Sequence, residues 1–152
     1  MIRYAHTNIV ARDWRGLANF YEQVLQCEPL PPERDYKGEG IGKIAGIDPD
    51  PNARLTGIHL RLPGHGPNGP TLEIFQYQPE ASEGAIQSNT PGFSHIAFAV
   101  DDVGETAARF LEWGGSEIGE YTEMEIENAG HIALHYLADP EGNIVELQKW
   151  TT

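Results

Sequence analysis

The stretch GFSHIAFAVDDVGETAARFLEWGG, residues 92–115, decides how the chain is read, because a second version of it, YAHTNIVARDWRGLANFYEQVL, begins at residue 4. Placing His6 on His95 sets Asp13 on Asp102, Ala18 on Ala107 and Tyr21 on Phe110 without a gap. Each version shows a strand-like run, then an aspartate suited to N-capping, then apolar residues at helical spacing. In the first, Trp14, Leu17, Tyr21 and Val24 recur until Pro29 forbids continuation. In the second, Val103, Ala107, Phe110 and Leu111 recur until Gly114 and Gly115. The chain therefore reads as a duplicated unit whose halves both begin β then α.

Outward from these stretches, each half continues with two strands. Leu55 to Leu62 and Thr71 to Tyr77 are joined by the turn PGHGPNGP, and His131 to Leu137 and Asn143 to Trp150 by the tight turn ADPEGN. Between Pro31 and Asn52 the chain is rich in proline, glycine and charge, and regular structure beyond one helical turn is hard to assign. The expected organisation is a first βαβββ module at 1–78 with a long loop at 31–54, a linker at 79–92, and a second βαβββ module at 93–152. The second strand of each half is poorly marked. The fold class is α+β.

Composition narrows the function. The 152 residues suit one core-forming chain of two related halves, and no apolar run approaches the roughly 18 residues of a membrane span. No basic segment followed by an apolar one opens the chain, so a cytoplasmic location is expected. Twenty-three acidic against 10 basic residues, a net charge of −13, argue against nucleic acid or anionic membrane as a partner. Cys27 is the only cysteine, which excludes an internal disulfide and a multi-cysteine zinc cluster; it reads as a half-buried thiol at a helix end.

Strand alternation then assigns faces. In the strand at 93–100, Ile96, Phe98 and Val100 cover the helix while His95, Ala97 and Ala99 take the other face, an imidazole followed by small residues. At 71–77, Leu72 and Ile74 face the helix and Glu73, Phe75 and Tyr77 lie opposite. In the last strand, Val145 and Leu147 face the helix and Glu146 and Gln148 do not. A carboxylate among apolar strand residues is costly to bury unless paired, protonated or bound to a cation. Two such carboxylates, duplicated alongside two histidines, make His6, Glu73, His95 and Glu146 a candidate ligand set for a divalent first-row metal: Zn, Ni, Co, Mn or Fe. By the same parity, His59 and Arg61 face the cavity if Ile58 and Leu60 face the helix. His135 shares a face with His131, and His59 and His135 are candidate equivalents. Arg61 is a candidate for a substrate carboxylate or phosphate, or for a salt bridge with an acidic neighbour.

The motifs HTNIVARDWRGLANFYEQVL, TLEIFQY, GFSHIAFAVDDV and DPEGNIVEL resemble the vicinal oxygen chelate superfamily, which includes glyoxalase I, methylmalonyl-CoA epimerase, extradiol dioxygenases and bleomycin-binding proteins. The resemblance implies paired βαβββ modules with curved mixed sheets enclosing a metal site, and a homodimer. Its ligand positions fall on His6, Glu73, His95 and Glu146, and retention of all four points to the glyoxalase I and epimerase branches. It further implies proton transfer beside a metal-bound carbonyl or enediolate of a small oxygenated substrate, with Glu146 or Glu73 as the base and Glu146 preferred. Where bacterial glyoxalase I enzymes commonly carry an arginine and an asparagine for glutathione, this chain has Val10 and Tyr77, which argues against glutathione conjugates. Arg61, His59, His135 and Tyr77 remain candidate substrate contacts. The expectation is a metal-dependent isomerase, epimerase or lyase of the glyoxalase type. The alternatives are an Fe(II) ring-cleaving dioxygenase and a non-catalytic binder of antibiotic-like molecules.

Overall fold

A computed structural model describes residues 3–46, 48–81 and 91–151. The chain divides into two compact units, Met1–Glu83 and Gly84–Thr152. Most of the linker expected at 79–92 lies outside the described residues.

In the first unit, strand β1 (His6–Val10) leads into helix α1 (Trp14–Leu25). The Asp13 carboxylate accepts a 3.1 Å hydrogen bond from the Gly16 amide and so caps one of the amides that a helix start leaves unpaired. The helix ends at Gln26, which takes a left-handed conformation (φ 56°), before Pro29 is reached. Trp14, Leu17, Ala18, Tyr21 and Val24 are buried on one stripe against strands β3 (Arg54–Arg61) and β4 (Thr71–Gln78). Leu60, Leu72 and Ile74, which face that helix, are fully enclosed. Burial of each such side chain stabilises the fold by about 1.5–3 kcal/mol, which makes this face the stable platform for whatever the opposite face presents. Cys27 follows the helix and is buried rather than half-buried; burial pushes its thiol up to about 12, so it is no nucleophile.

The segment expected to be an irregular excursion contains a strand and a short helix. Strand β2 (Glu28–Lys37) pairs antiparallel with β3, giving the sheet order β1-β4-β3-β2 with β1 parallel to β4. Its register runs from Glu28↔Arg61 to Leu30↔His59, shifts, and resumes at Arg34↔Gly57. Pro31, Pro32 and Glu33 fall in that irregularity. Proline cannot donate to a ladder, and an edge strand with a bulge is where a sheet tolerates it. Helix α2 (Gly40–Ala45) then sets Ile41 on Ala53 and Leu55, with Phe75 and Tyr77 packed against the cluster.

Gly57 shows how closely the strands of this sheet approach. A Cβ there would lie 2.1 Å from the Ile74 carbonyl oxygen and 2.9 Å from the Phe75 Cα, both backbone atoms that cannot yield. Gly57→Ala is expected to destabilise the protein by roughly 2 kcal/mol. Urea unfolding measures this, and a midpoint equal to that of the wild type would contradict the close approach.

The second unit repeats the plan with a broken edge. Strand β5 (His95–Ala99) precedes helix α3 (Val103–Glu112), whose Glu105 amide donates to the Asp102 carboxylate at 2.8 Å. Gly114, at φ 94°, follows the helix in a backbone conformation that favours glycine. Strands β6 (Ser116–Glu117) and β7 (Thr122–Ile126) both pair with β8 (Gly130–Ala138), and β8 pairs with β9 (Ile144–Thr151), itself parallel to β5. The two-part edge formed by β6 and β7 occupies the place of bulged β2. Leu137, Val145 and Leu147 are fully buried on the face that packs on α3. The observed class is α+β, with two mixed sheets and few helices.

Candidate metal-binding half-sites

Directly opposed residues of antiparallel strands share a face, so register fixes which side chains meet. In the first unit Glu73 of β4 lies opposite His59 of β3 and beside Asn8 of β1. His6 Nε2 approaches Glu73 Oε2 at 3.3 Å, His59 Nε2 approaches Glu73 Oε1 at 2.7 Å, and Asn8 donates to Glu73 Oε2 at 3.3 Å. The Glu73 side chain is only 13% exposed, whereas His6 is 44% exposed, so the carboxylate is enclosed and the imidazole open. The His6 and His59 rings meet edge to face with centroids 5.9 Å apart.

The second unit reproduces this arrangement with one change. Glu146 of β9 lies opposite Tyr136 of β8. His95 Nε2 approaches Glu146 Oε2 at 3.1 Å, and the Tyr136 hydroxyl donates to the same oxygen at 3.0 Å. The His95 and Tyr136 rings meet edge to face at 5.1 Å, as His6 and His59 do. Tyr136, not His135, is thus the counterpart of His59. The parity expected for β8 is inverted: the turn at 139–143 pairs Ala138 with Ile144, and that register carries Tyr136 onto Glu146. His135 points to the helix side, is buried, and its Nε2 meets the Gly119 carbonyl at 3.0 Å. His131 lies near Glu123 at 3.7 Å.

The residues opposite the two glutamates, His59 and Tyr136, are both shifted toward their neutral form. Burial lowers the His59 pKa below its ordinary value despite the neighbouring Glu73, with Arg34 and His6 adding to the depression. The neutral ring donates from Nε2 to Glu73 and accepts at Nδ1 from the Thr71 hydroxyl, 3.0 Å away. Burial and the bond to Glu146 raise the Tyr136 phenol, which therefore stays protonated. Each carboxylate is oriented by a donor from the adjacent strand, as outer partners orient ligands in metal sites.

The remaining candidates Arg61 and Tyr77 share the face of His59 and Glu73 but meet other partners. Arg61 forms a 2.6 Å ion pair with Glu28, its register neighbour, and its Nε is buried without a partner among the described residues. Tyr77 packs beside α2 at the far end of β4.

The donor chemistry of both pairs fits a divalent metal. Two donors bonded to one ion at about 2.1 Å lie roughly 3–3.4 Å apart across a right or tetrahedral angle, and the two His–Glu separations are 3.3 and 3.1 Å. Among the described residues no group of three or more His, Cys, Asp or Glu side chains is arranged to hold a metal ion. Each unit presents one strand-leading histidine paired with a glutamate at this separation, His6–Glu73 and His95–Glu146, and the first unit adds His59 on the other oxygen of Glu73.

Comparison with known proteins agrees with this architecture. The model of the Glyoxalase/Bleomycin resistance protein/Dioxygenase superfamily matches residues 3–147. No curated protein matches the chain. A glyoxalase family protein from Bacillus cereus is similar over 100% of this chain and 96% of its own, at 18% identity and a TM-score of 0.80. A glyoxylase/bleomycin resistance protein/dioxygenase domain from Frankia sp. EAN1pec covers 99% of both chains at 15% identity and a TM-score of 0.63. A glyoxalase/bleomycin resistance protein/dioxygenase family enzyme from Burkholderia phytofirmans PsJN covers 97% of this chain and 98% of its own, at 16% identity and a TM-score of 0.57. Identities this low show the fold alone. The superfamily includes many enzymes, and its members commonly bind a divalent metal and small molecules. No helix among the described residues is long and apolar enough to cross a membrane. With a family model spanning nearly all of it and a βαβββ plan used twice, the chain belongs to the glyoxalase/bleomycin resistance protein/dioxygenase superfamily.

Proposed function

We propose that this protein is a divalent-metal-dependent enzyme of the glyoxalase type, an isomerase, epimerase or lyase, which moves a proton beside a carbonyl of a small oxygenated substrate. His6, Glu73, His95 and Glu146 together are the residues that would hold the metal, from one chain or across a homodimer. The observation that carries this reading is the repeated His–Glu pair, at 3.3 and 3.1 Å, each anchored by a neutral donor from the neighbouring strand. When bound, the metal supplies Lewis-acid stabilisation of charge on a substrate oxygen, worth several kcal/mol.

The protein's own part is to hold and move the proton. Both oxygens of Glu73 are engaged, Oε1 by His59 and Oε2 by His6 and Asn8. Both contacts of Glu146 fall on Oε2, leaving Oε1 without a hydrogen bond among the described residues. Glu146 is therefore the carboxylate free to accept a proton, and Glu73 the one held as a ligand. Ala97 and Ala99, on the face of His95, leave room for substrate beside it.

The test is solvent deuterium incorporation, followed by proton NMR, with metal-reconstituted protein and a panel of 2-oxo compounds and acyl thioesters. Exchange at the carbon next to the carbonyl is expected, and Glu146→Gln should abolish it even at metal concentrations that saturate the variant. Oxygen consumption without exchange would establish the dioxygenase alternative. Tight binding with neither reaction would establish a non-catalytic binder.

A further inference from the structure

We infer that the substrate of this site carries an anionic oxygen group, a carboxylate or a phosphate, and that Arg34 binds it. The inference rests on the reading of the Glu73 half-site as part of the active site and adds a charge requirement to it.

Arg34 resumes the β2 ladder after the irregularity and lies opposite Gly57, which lies opposite Phe75. These residues share the face of His59 and Glu73, so the guanidinium projects on the half-site side of the sheet. Where Arg34 stands on the bulged edge, the second unit has Thr122 of β7, opposite Leu134. The cation is therefore a property of one half-site only, and the duplicated scaffold does not require it.

What sets Arg34 apart is its lack of a counter-charge among the described residues. Acidic residues outnumber basic ones 23 to 10, and the other arginines of this sheet and its helix are paired: Arg15 with Glu33, Arg54 with Asp35 and Arg61 with Glu28. Arg34 is half-buried and forms no ion pair among the described residues; its one hydrogen bond goes to the Pro32 carbonyl. Arg3, Arg109 and Lys149 also lack a carboxylate there, but all three are exposed, where water compensates the charge. A half-buried guanidinium with most of its five donors unused pays a desolvation cost that an incoming oxyanion offsets, in a planar fork geometry matched to carboxylate or phosphate. In a chain of net charge −13, an anionic substrate would otherwise be repelled.

The test titrates metal-free protein with two probes separately, inorganic phosphate and propionate, and reads amide and arginine side-chain NMR shifts. Saturable shifts at Gly57 and the Arg34 side chain are expected with at least one probe, and the tighter one identifies the group. Arg34→Gln should weaken that binding by at least about ten-fold, Arg34→Lys by less, and Arg109→Gln not at all. Equal affinity in wild type and Arg34→Gln, or no saturable shift with either probe, overturns the inference. Metal content, measured in parallel, keeps the two readings apart: anion binding that depends on Arg34 in a protein that takes up no metal would defeat the metal reading and leave this one standing.

Discussion

Replacing His95 with alanine is expected to weaken binding of a divalent first-row metal by more than about 100-fold. The magnitude follows from the order of the contacts. Removing an outer partner of a metal ligand already costs about 10–100-fold in affinity, and His95 is read as a ligand itself, with its Nε2 3.1 Å from Glu146 Oε2. Tyr136→Phe removes only the outer donor to that oxygen, so a loss of about ten-fold is expected. Competition against a chromophoric chelator measures both variants. A smaller loss for His95→Ala than for Tyr136→Phe would reverse the roles assigned to imidazole and phenol, and equal affinity of both with wild type would remove the second half-site from metal binding.

The second large effect is on stability. Asp139 is 2% exposed in the turn between β8 and β9, where its carboxylate accepts from the Glu141 and Asn143 amides at 2.9 Å and from Asn143 Nδ2 at 2.9 and 3.1 Å. Removing it strands several donors in a confined turn, and hydrogen bonds to a charged acceptor contribute about 1.5–3 kcal/mol each before coupling is counted. Asp139→Ala should therefore destabilise the protein by roughly 3 kcal/mol, and Asp139→Asn by less. The turn also sets the β8–β9 register that brings Tyr136 to Glu146, so the alanine variant should lose affinity for metal in proportion. Denaturant unfolding checks the first expectation; a change within about 0.5 kcal/mol, the range of an ordinary surface substitution, would show that the turn closes without it.

What the sequence revealed depended on whether a signal was local. Helices α1 and α3 were legible because Asp13 and Asp102 mark their starts and apolar residues recur behind them. Faces of β4, β5 and β9 followed from alternation, since each carries buried apolar residues that anchor the parity, Leu72 and Ile74 in β4, Phe98 in β5, and Val145 and Leu147 in β9. Strand β2 was hidden because Pro31, Pro32 and a run of charges read as a breaker, and only pairing with β3 makes such a segment a strand. Arg34 was lost with it. In β8, apolar residues occupy both faces, with Ile132 on one and Leu137 on the other, so alternation alone had no anchor. The signal that would have resolved it was the tight turn ADPEGN, which fixes the register from its closing pair Ala138–Ile144 and thereby names Tyr136.

The asymmetry between the half-sites gives the proposed chemistry its direction. Glu73 is clasped from both sides by two imidazoles and Asn8, while Glu146 is held on one oxygen by an imidazole and a phenol. A duplicated scaffold would by itself supply two equal carboxylates. Under the proposed function, the exchange of His59 for Tyr136 would make Glu73 a fixed ligand and Glu146 the base.

The central claim, that the two His–Glu pairs serve one metal ion, is tested most directly by metal stoichiometry in protein purified without chelator, for wild type, His6→Ala and His95→Ala. The account predicts about one ion per chain in the wild type, whether the pairs come from one chain or two, and loss of that ion in either variant. Two ions per chain with one lost in each variant, or no bound metal in the wild type, would contradict it.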